Sequence, residues 1–183
     1  QRQMGIQTGV KCYDSELINE TAKASGFAKS FVETHEEHRP GSFLYSLVTG
    51  GGVVADEQPF PVQIFQAQSE VIRTIAARES CIIVGRCADY ILKDQPNTYS
   101  FFIYADDDYR LARAKTHYAG HTIKELDAED KHREQYYAYY TGRTWGDPQN
   151  YDLMINTSKI SLEAAADLII SYIELRQKKA ANA

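Results

Sequence analysis

Apolar and polar positions alternate along this chain in two rhythms. Short continuous apolar runs at residues 10–13, 81–84, 100–104 and 153–155 read as strands. Each is followed by a polar or capping residue and then by a helical period. Asp14 opens a stretch in which Leu17, Ile18, Thr21 and Ala22 share a face and Gly26 makes a C-cap, while Asp106 opens a second helix. Ser161 opens a third, with Leu162, Ala165, Ala166, Ile169 and Ile173 on one stripe. A further helix over 61–80, with Ile64, Ala67, Val71 and Ile75 facing inward, leads into the second strand. That strand, CIIV, is apolar without interruption, the pattern of a strand buried on both faces. Repeated strand-then-helix order predicts an α/β domain with a mainly parallel sheet.

Two segments break the rhythm. Thr122 and Glu125 have capping-box spacing, so a helix begins at 122, and its polar surface marks it as a surface or mobile element. Residues 33–61 are rich in Gly, Pro and acidic side chains and read as loops around a short helix at 42–48.

The length of 183 residues allows one domain with a substantial core, which we take as 1–183. Apolar content of 43% and charged content of 25% are those of an ordinary folded protein. A net charge of −5 gives no general attraction to nucleic acid or acidic lipid, so an anion site must be local. No apolar run approaches the ~20 residues of a membrane span, and the first ten residues lack a signal-peptide core. A cytoplasmic protein without membrane partners is expected. Cys12, Cys81 and Cys87 are odd in number and lack CxxC spacing, which points to free thiols, with no metal site expected. His35, His38 and Arg39 in HEEHR place an arginine where a zinc-protease helix requires histidine, so a solvated loop is the reading.

In an open parallel sheet, ligands collect at the carboxyl ends of the strands. Asp14, Arg86, Asp89 and Asp106 all follow strand candidates and converge there. An arginine at such an edge holds phosphate oxygens bidentately. Arg86 and Asp89, three apart, serve equally well as a local pair or a helix cap, and Asp14 as an N-cap. Cys87 reads as a small buried residue, with a reactive thiol as the alternative. Tyr136, Tyr137, Tyr139 and Tyr140 read as helix packing in preference to base stacking.

The blocks YDSELI, SFLYSL, ESCIIVGRCADYIL, DKHREQYYAYYTG and WGDPQNYDLMINTSKISLEAAADLI occur in this order, and the chain resembles the cytidylate kinase-like family of P-loop kinases through them. The resemblance implies a P-loop kinase-like, three-layer α/β/α fold with a helical lid at about 110–142. It also implies transfer of the ATP γ-phosphoryl group, with Mg2+, to a nucleotide such as CMP or dCMP. By matching position, Asp14 lies near the acceptor, Arg86 on its phosphate and Asp89 on its sugar or base. Arg110, Arg113 and Arg133 fall where lid arginines are expected, and for each a solvated helix face is an equal alternative. Arg133, inside the DKHREQYY block, is the favoured lid arginine, and the resemblance implies Arg86 and Arg133 as the catalytic residues.

No GxxxxGK[ST] phosphate loop occurs in the chain, and Gly50, Gly51 and Gly52 read as a flexible loop. The start RQMG resembles the tail of the family's glycine-rich variant, which implies a strand and glycines before Gln1 and sets Arg2 near the usual phosphate-binding lysine. The segment from Arg2 to Val10 is about one helical turn shorter than the family's helix. Three functions follow: a nucleoside monophosphate kinase, a nucleotide-binding sensor without catalysis, and a kinase with a non-nucleotide acceptor. The expected partner is a small-molecule nucleotide, not nucleic acid. A homo-oligomer stays open.

Overall fold

A computed structural model of the chain describes residues 2–14, 60–117 and 120–182. Helix α1 (Arg2–Thr8) leads to strand β1 (Lys11–Tyr13), and α2 (Phe60–Arg78) leads to β2 (Cys81–Ile83). A short helix α3 (Ala88–Ile91) precedes β3 (Phe101–Tyr104). Helices α4 (Asp107–His117) and α5 (Ile123–Thr141) carry the chain to β4 (Leu153–Asn156), and α6 (Leu162–Ala181) follows. The result is a mixed α/β arrangement with short parallel strands. β1 pairs with β2 from Lys11↔Cys81 to Tyr13↔Ile83, and β3 pairs with β4 from Phe101↔Leu153 to Tyr104↔Asn156. Parallel neighbours need a crossover, and α4 and α5 form the one between β3 and β4.

Successive side chains of β2 part to two cores, as the two-residue period of a strand demands. Cys81 and Ile83 pack with Tyr13, Val71, Ile72, Ile75, Ala88 and Leu92, a cluster under α2 and α3. Ile82 packs with Met4, Ile155, Ala165, Ala166 and Ile169, a cluster under α1 and α6. Gly5 lets α1 come close to β1, because a Cβ there would stand 3.0 Å from Cys12 Sγ.

Most expected elements are present, and their ends are capped as their residue types predict. Thr122 accepts from Glu125 N while the Glu125 carboxylate takes the Thr122 N–H, closing the capping box, and Gly142 ends α5 with φ of 68°. The Thr122 N–H, then its hydroxyl, draw the Glu125 carboxyl below its usual range. Ser161 accepts from Ala164 N at the start of α6.

Three expectations need correction. The β2 run is half-buried, and Val84, 37% exposed, lies beyond the strand. Ile103 and Tyr104 of β3 are likewise exposed. The reason is that, among the described residues, β2 and β3 each have a neighbour on one edge only. On α2, Ala67 is only partly buried, whereas Gln68 and Ile72 are fully buried beside Ile64, Val71 and Ile75. Gln68 is tolerated there because its Oε1 accepts from Tyr136 OH at 3.0 Å. Asp106 precedes α4 as expected, yet its carboxylate accepts from Asn156 and Lys159 and so does not cap the helix. The readings of residues 15–26, of the loop at 33–59 with its helix at 42–48, of HEEHR and of Gly50–Gly52 lie outside the described residues. None of the described helices is long and apolar enough to cross a membrane.

Candidate functional site

The carboxyl ends of β1 and β2 lie side by side, since Tyr13 is in register with Ile83 and Val84 N donates to Tyr13 O. Asp14 therefore follows one strand where Val84 and Gly85 follow the other. From Gly85 the backbone turns through three consecutive left-handed residues, with φ of 72° at Gly85, 54° at Arg86 and 56° at Cys87. Ala88 N donates to Gly85 O at 3.1 Å and closes this turn. Left-handed arginine and cysteine are each sterically disfavoured, and such strain persists only where surrounding structure holds it.

Burial of Cys87 is one such hold. The side chain is 4% exposed, and burial first, then the Asp89 charge, push its thiol up to about 12 against the opposing pull of Arg86. It is a packed residue and not a reactive thiolate. Asp89, in α3, is the second hold. Its Oδ2 accepts from Tyr137 OH of α5 at 2.6 Å. Burial, together with the hydrogen bond to and the charge of Asp89, raises the Tyr137 phenol well above its usual range, so Tyr137 remains the donor. Arg143 opposes that rise weakly, and its guanidinium lies over the Tyr90 ring at 5.1 Å. Tyr151 completes this group and is raised as well, by burial first.

Tyr136, Tyr137 and Tyr140 dock α5, whereas Tyr139 is exposed and meets the Tyr140 ring of its own helix. Tyr140 stacks on Phe65 with ring centres 4.2 Å apart and donates to Pro61 O at 3.0 Å, and Tyr136 meets Gln68. Toward its N-terminal half, α5 is tied to α4 by charge instead. Arg110 Nη1 donates to Asp107 at 3.1 Å and Asp127 at 3.0 Å, and its Nη2 to Asp130. Burial alone would lower the Arg110 guanidinium, but Asp127, Asp130 and Asp107 outweigh it and leave it raised. Arg133 Nη1 donates to the other oxygen of Asp130 at 2.8 Å.

Of the residues named from sequence, Asp14 and Arg86 thus share one edge, Asp89 lies one short turn beyond, and Arg110 and Arg133 meet on Asp130. Arg133 and Tyr137 are four apart on α5 and so share a face, which links the arginine pair to the Asp89 side of the site. Arg113 lies one turn past Arg110 on α4, and Arg2 begins α1, the helix that packs on α6. Sequence reasoning missed Asp130, Arg143 and Tyr151. Asp130 stood inside the DKHREQYY block, and only its spacing of three to Arg133 could have marked it. The described residues contain no group of three or more His, Cys, Asp or Glu side chains able to hold a metal ion.

The crystal structure of an uncharacterized protein from Eubacterium ventriosum ATCC 27560 is similar to this chain, with a TM-score of 0.68 and 27% sequence identity. The match covers 94% of this chain and 88% of that one. None of the curated proteins compared with the chain matches it significantly. A family model does match, and over residues 3–159 it runs from α1 through the turn that follows β4, taking in both strand pairs, the left-handed turn and the arginine helices. The chain belongs to the cytidylate kinase-like family.

Proposed function

We propose that the protein transfers the γ-phosphoryl group of Mg-ATP to a nucleoside monophosphate, with CMP or dCMP as the favoured acceptor. The observation that carries this reading is the left-handed turn at Gly85–Arg86–Cys87, which holds an arginine backbone in strain at the carboxyl edge beside Asp14. Within a kinase-like family, a strained arginine at that edge is best explained by a phosphate it must meet in one orientation.

In this reading Arg86 takes the acceptor phosphate and Asp14 and Asp89 orient the acceptor, Asp89 with its carboxylate already fixed by Tyr137. Arg133 contacts the transferring group, where positioning and electrostatics supply most of the catalysis. The guanidinium groups fit an ATP phosphate in chemistry, since Arg110 and Arg133 both already hold carboxylate oxygens. Mg-ATP, when bound, would supply the phosphoryl group, and its metal would neutralise phosphate charge. Arg2 and Arg113 are further phosphate candidates. A helical lid at about 110–142 would exclude water as it closes. The setting is cytoplasmic, where nucleoside triphosphates are available.

A further strand between the two pairs would complete a three-layer P-loop arrangement as one domain. In support, β2 and β3 belong to separate pairs, yet Ile82, Phe101, Leu153 and Ile155 share one apolar cluster, so a strand between the pairs would join them. One sequence feature favours a second reading, a nucleotide-binding regulatory domain without turnover: no GxxxxGK[ST] occurs in the chain.

The test is ADP release by the full natural chain with Mg-ATP and, separately, CMP, dCMP, UMP, AMP, GMP or no acceptor. Acceptor-dependent release is expected, and Arg86→Ala should lower it by about 100-fold, the worth of one bidentate charged contact, with the fold unchanged. Nucleotide binding without turnover would transfer the assignment to the regulatory reading. Full activity of Arg86→Ala would overturn the role given to Arg86.

A further inference from the structure

Asp130 divides its two oxygens between two arginines that are not equally held. Arg110 has Asp107 and Asp127 in addition, and its side chain is 22% exposed. Arg133 has half of Asp130 and, at 3.9 Å, Glu129, and its side chain is 47% exposed. The first guanidinium is therefore a pivot between α4 and α5 that survives the loss of one carboxylate. The second is held by a partner that solvent already screens.

A carboxylate on an arginine uses the same planar donor pair that a phosphate uses, and the phosphate carries more charge. We propose that Asp130 is the resident carboxylate that a polyphosphate displaces from Arg133, while Arg110 stays on Asp107 and Asp127. Asp130 is a positioning residue: it holds Arg133 against α5 until an anion of higher charge takes the guanidinium. This rests on the reading of Arg133 as a phosphate-binding arginine. It goes further in separating the two arginines, Arg133 meeting the ligand and Arg110 the helix.

Inorganic tripolyphosphate is the probe, titrated calorimetrically into the full chain. Asp130→Asn should bind it roughly three- to five-fold tighter than wild type, the worth of a freed surface pair. Asp130→Glu should restore wild-type affinity. Glu129→Gln, which removes the same charge one residue away, should stay within about two-fold of wild type because its pair is long and screened. In an Arg133→Gln background the gain from Asp130→Asn should vanish. Asp107 and Asp127 remain on Arg110 in every variant, so the α4–α5 junction is kept, which circular dichroism checks. Equal affinity of wild type and Asp130→Asn, including no binding by either, overturns the proposal, as does a gain that survives Arg133→Gln. A gain that vanishes in that background, in a protein that releases no ADP with any acceptor, would support the exchange and sink the phosphoryl-transfer reading instead.

Discussion

Replacing Arg86 by glycine and by alanine separates the strain of the left-handed turn from the work of the side chain. Both variants remove the guanidinium and whatever it touches, so their difference in stability reports the backbone alone. At φ of 54°, alanine keeps the steric cost of a left-handed residue, about 1–2 kcal/mol. Glycine escapes that cost but loses more freedom on folding, about 0.5–1 kcal/mol. The balance leaves Arg86→Gly more stable than Arg86→Ala by about 0.5–1 kcal/mol. At an ordinary helix or strand position the sign is opposite, by a similar amount. For a chain of this size that difference is about 1–4 °C in Tm, within reach of calorimetry and of paired urea titrations. Both variants should lose acceptor-dependent ADP release equally, because both lack the guanidinium. An alanine variant as stable as the glycine variant, or more so, would refute the strain argument and with it the observation on which the proposed function rests.

Two further outcomes follow from groups around the same turn. The Cys87 thiol is pushed from 9.0 to about 12 by burial, so the folded state favours the protonated form; the stability this gives is complete below pH 9 and is lost as pH rises toward 12. Between pH 9 and 10 the loss approaches about 1.4 kcal/mol per unit, and Cys87→Ala should flatten that part of a urea-titration series; an unchanged slope would show that the thiol already meets solvent. Tyr137→Phe removes a hydrogen bond to a carboxylate and should cost about 1.5–3 kcal/mol, whereas Tyr140→Phe removes one to the Pro61 carbonyl and should cost about 0.5–1.5 kcal/mol. Equal urea midpoints for the two would refute the ranking.

What could be read from the residues, and what could not, divides by distance along the chain. The capping box at Thr122 and Glu125 and the cap at Ser161 are contacts across three residues, and the strand runs carry their signal in their own composition. The Tyr137–Asp89 bond joins residues 48 apart, and no local period names its partner. Gly85 announces a turn, but neither arginine nor cysteine announces a left-handed backbone, which here is imposed by burial of Cys87 and Ala88 in the core. The tyrosine repeat was legible as packing, which Tyr140 on Phe65 bears out. Its hydroxyls carry a second message that residue type alone does not: they bind α5 to Gln68, Asp89 and Pro61 at one end only. The other end is held by partly exposed ion pairs centred on Arg110, each weaker than a buried hydrogen bond to a carboxylate. Under the proposed function, a closing motion that carried Arg133 toward a nucleotide would bend α5 on the N-terminal side of Tyr136, where the hold is the weaker one. Within residues 110–142, the part of α5 around Asp130 is thus held by charge to Arg110, and the part around Tyr136, Tyr137 and Tyr140 by tyrosine hydroxyls that reach Gln68, Asp89 and Pro61.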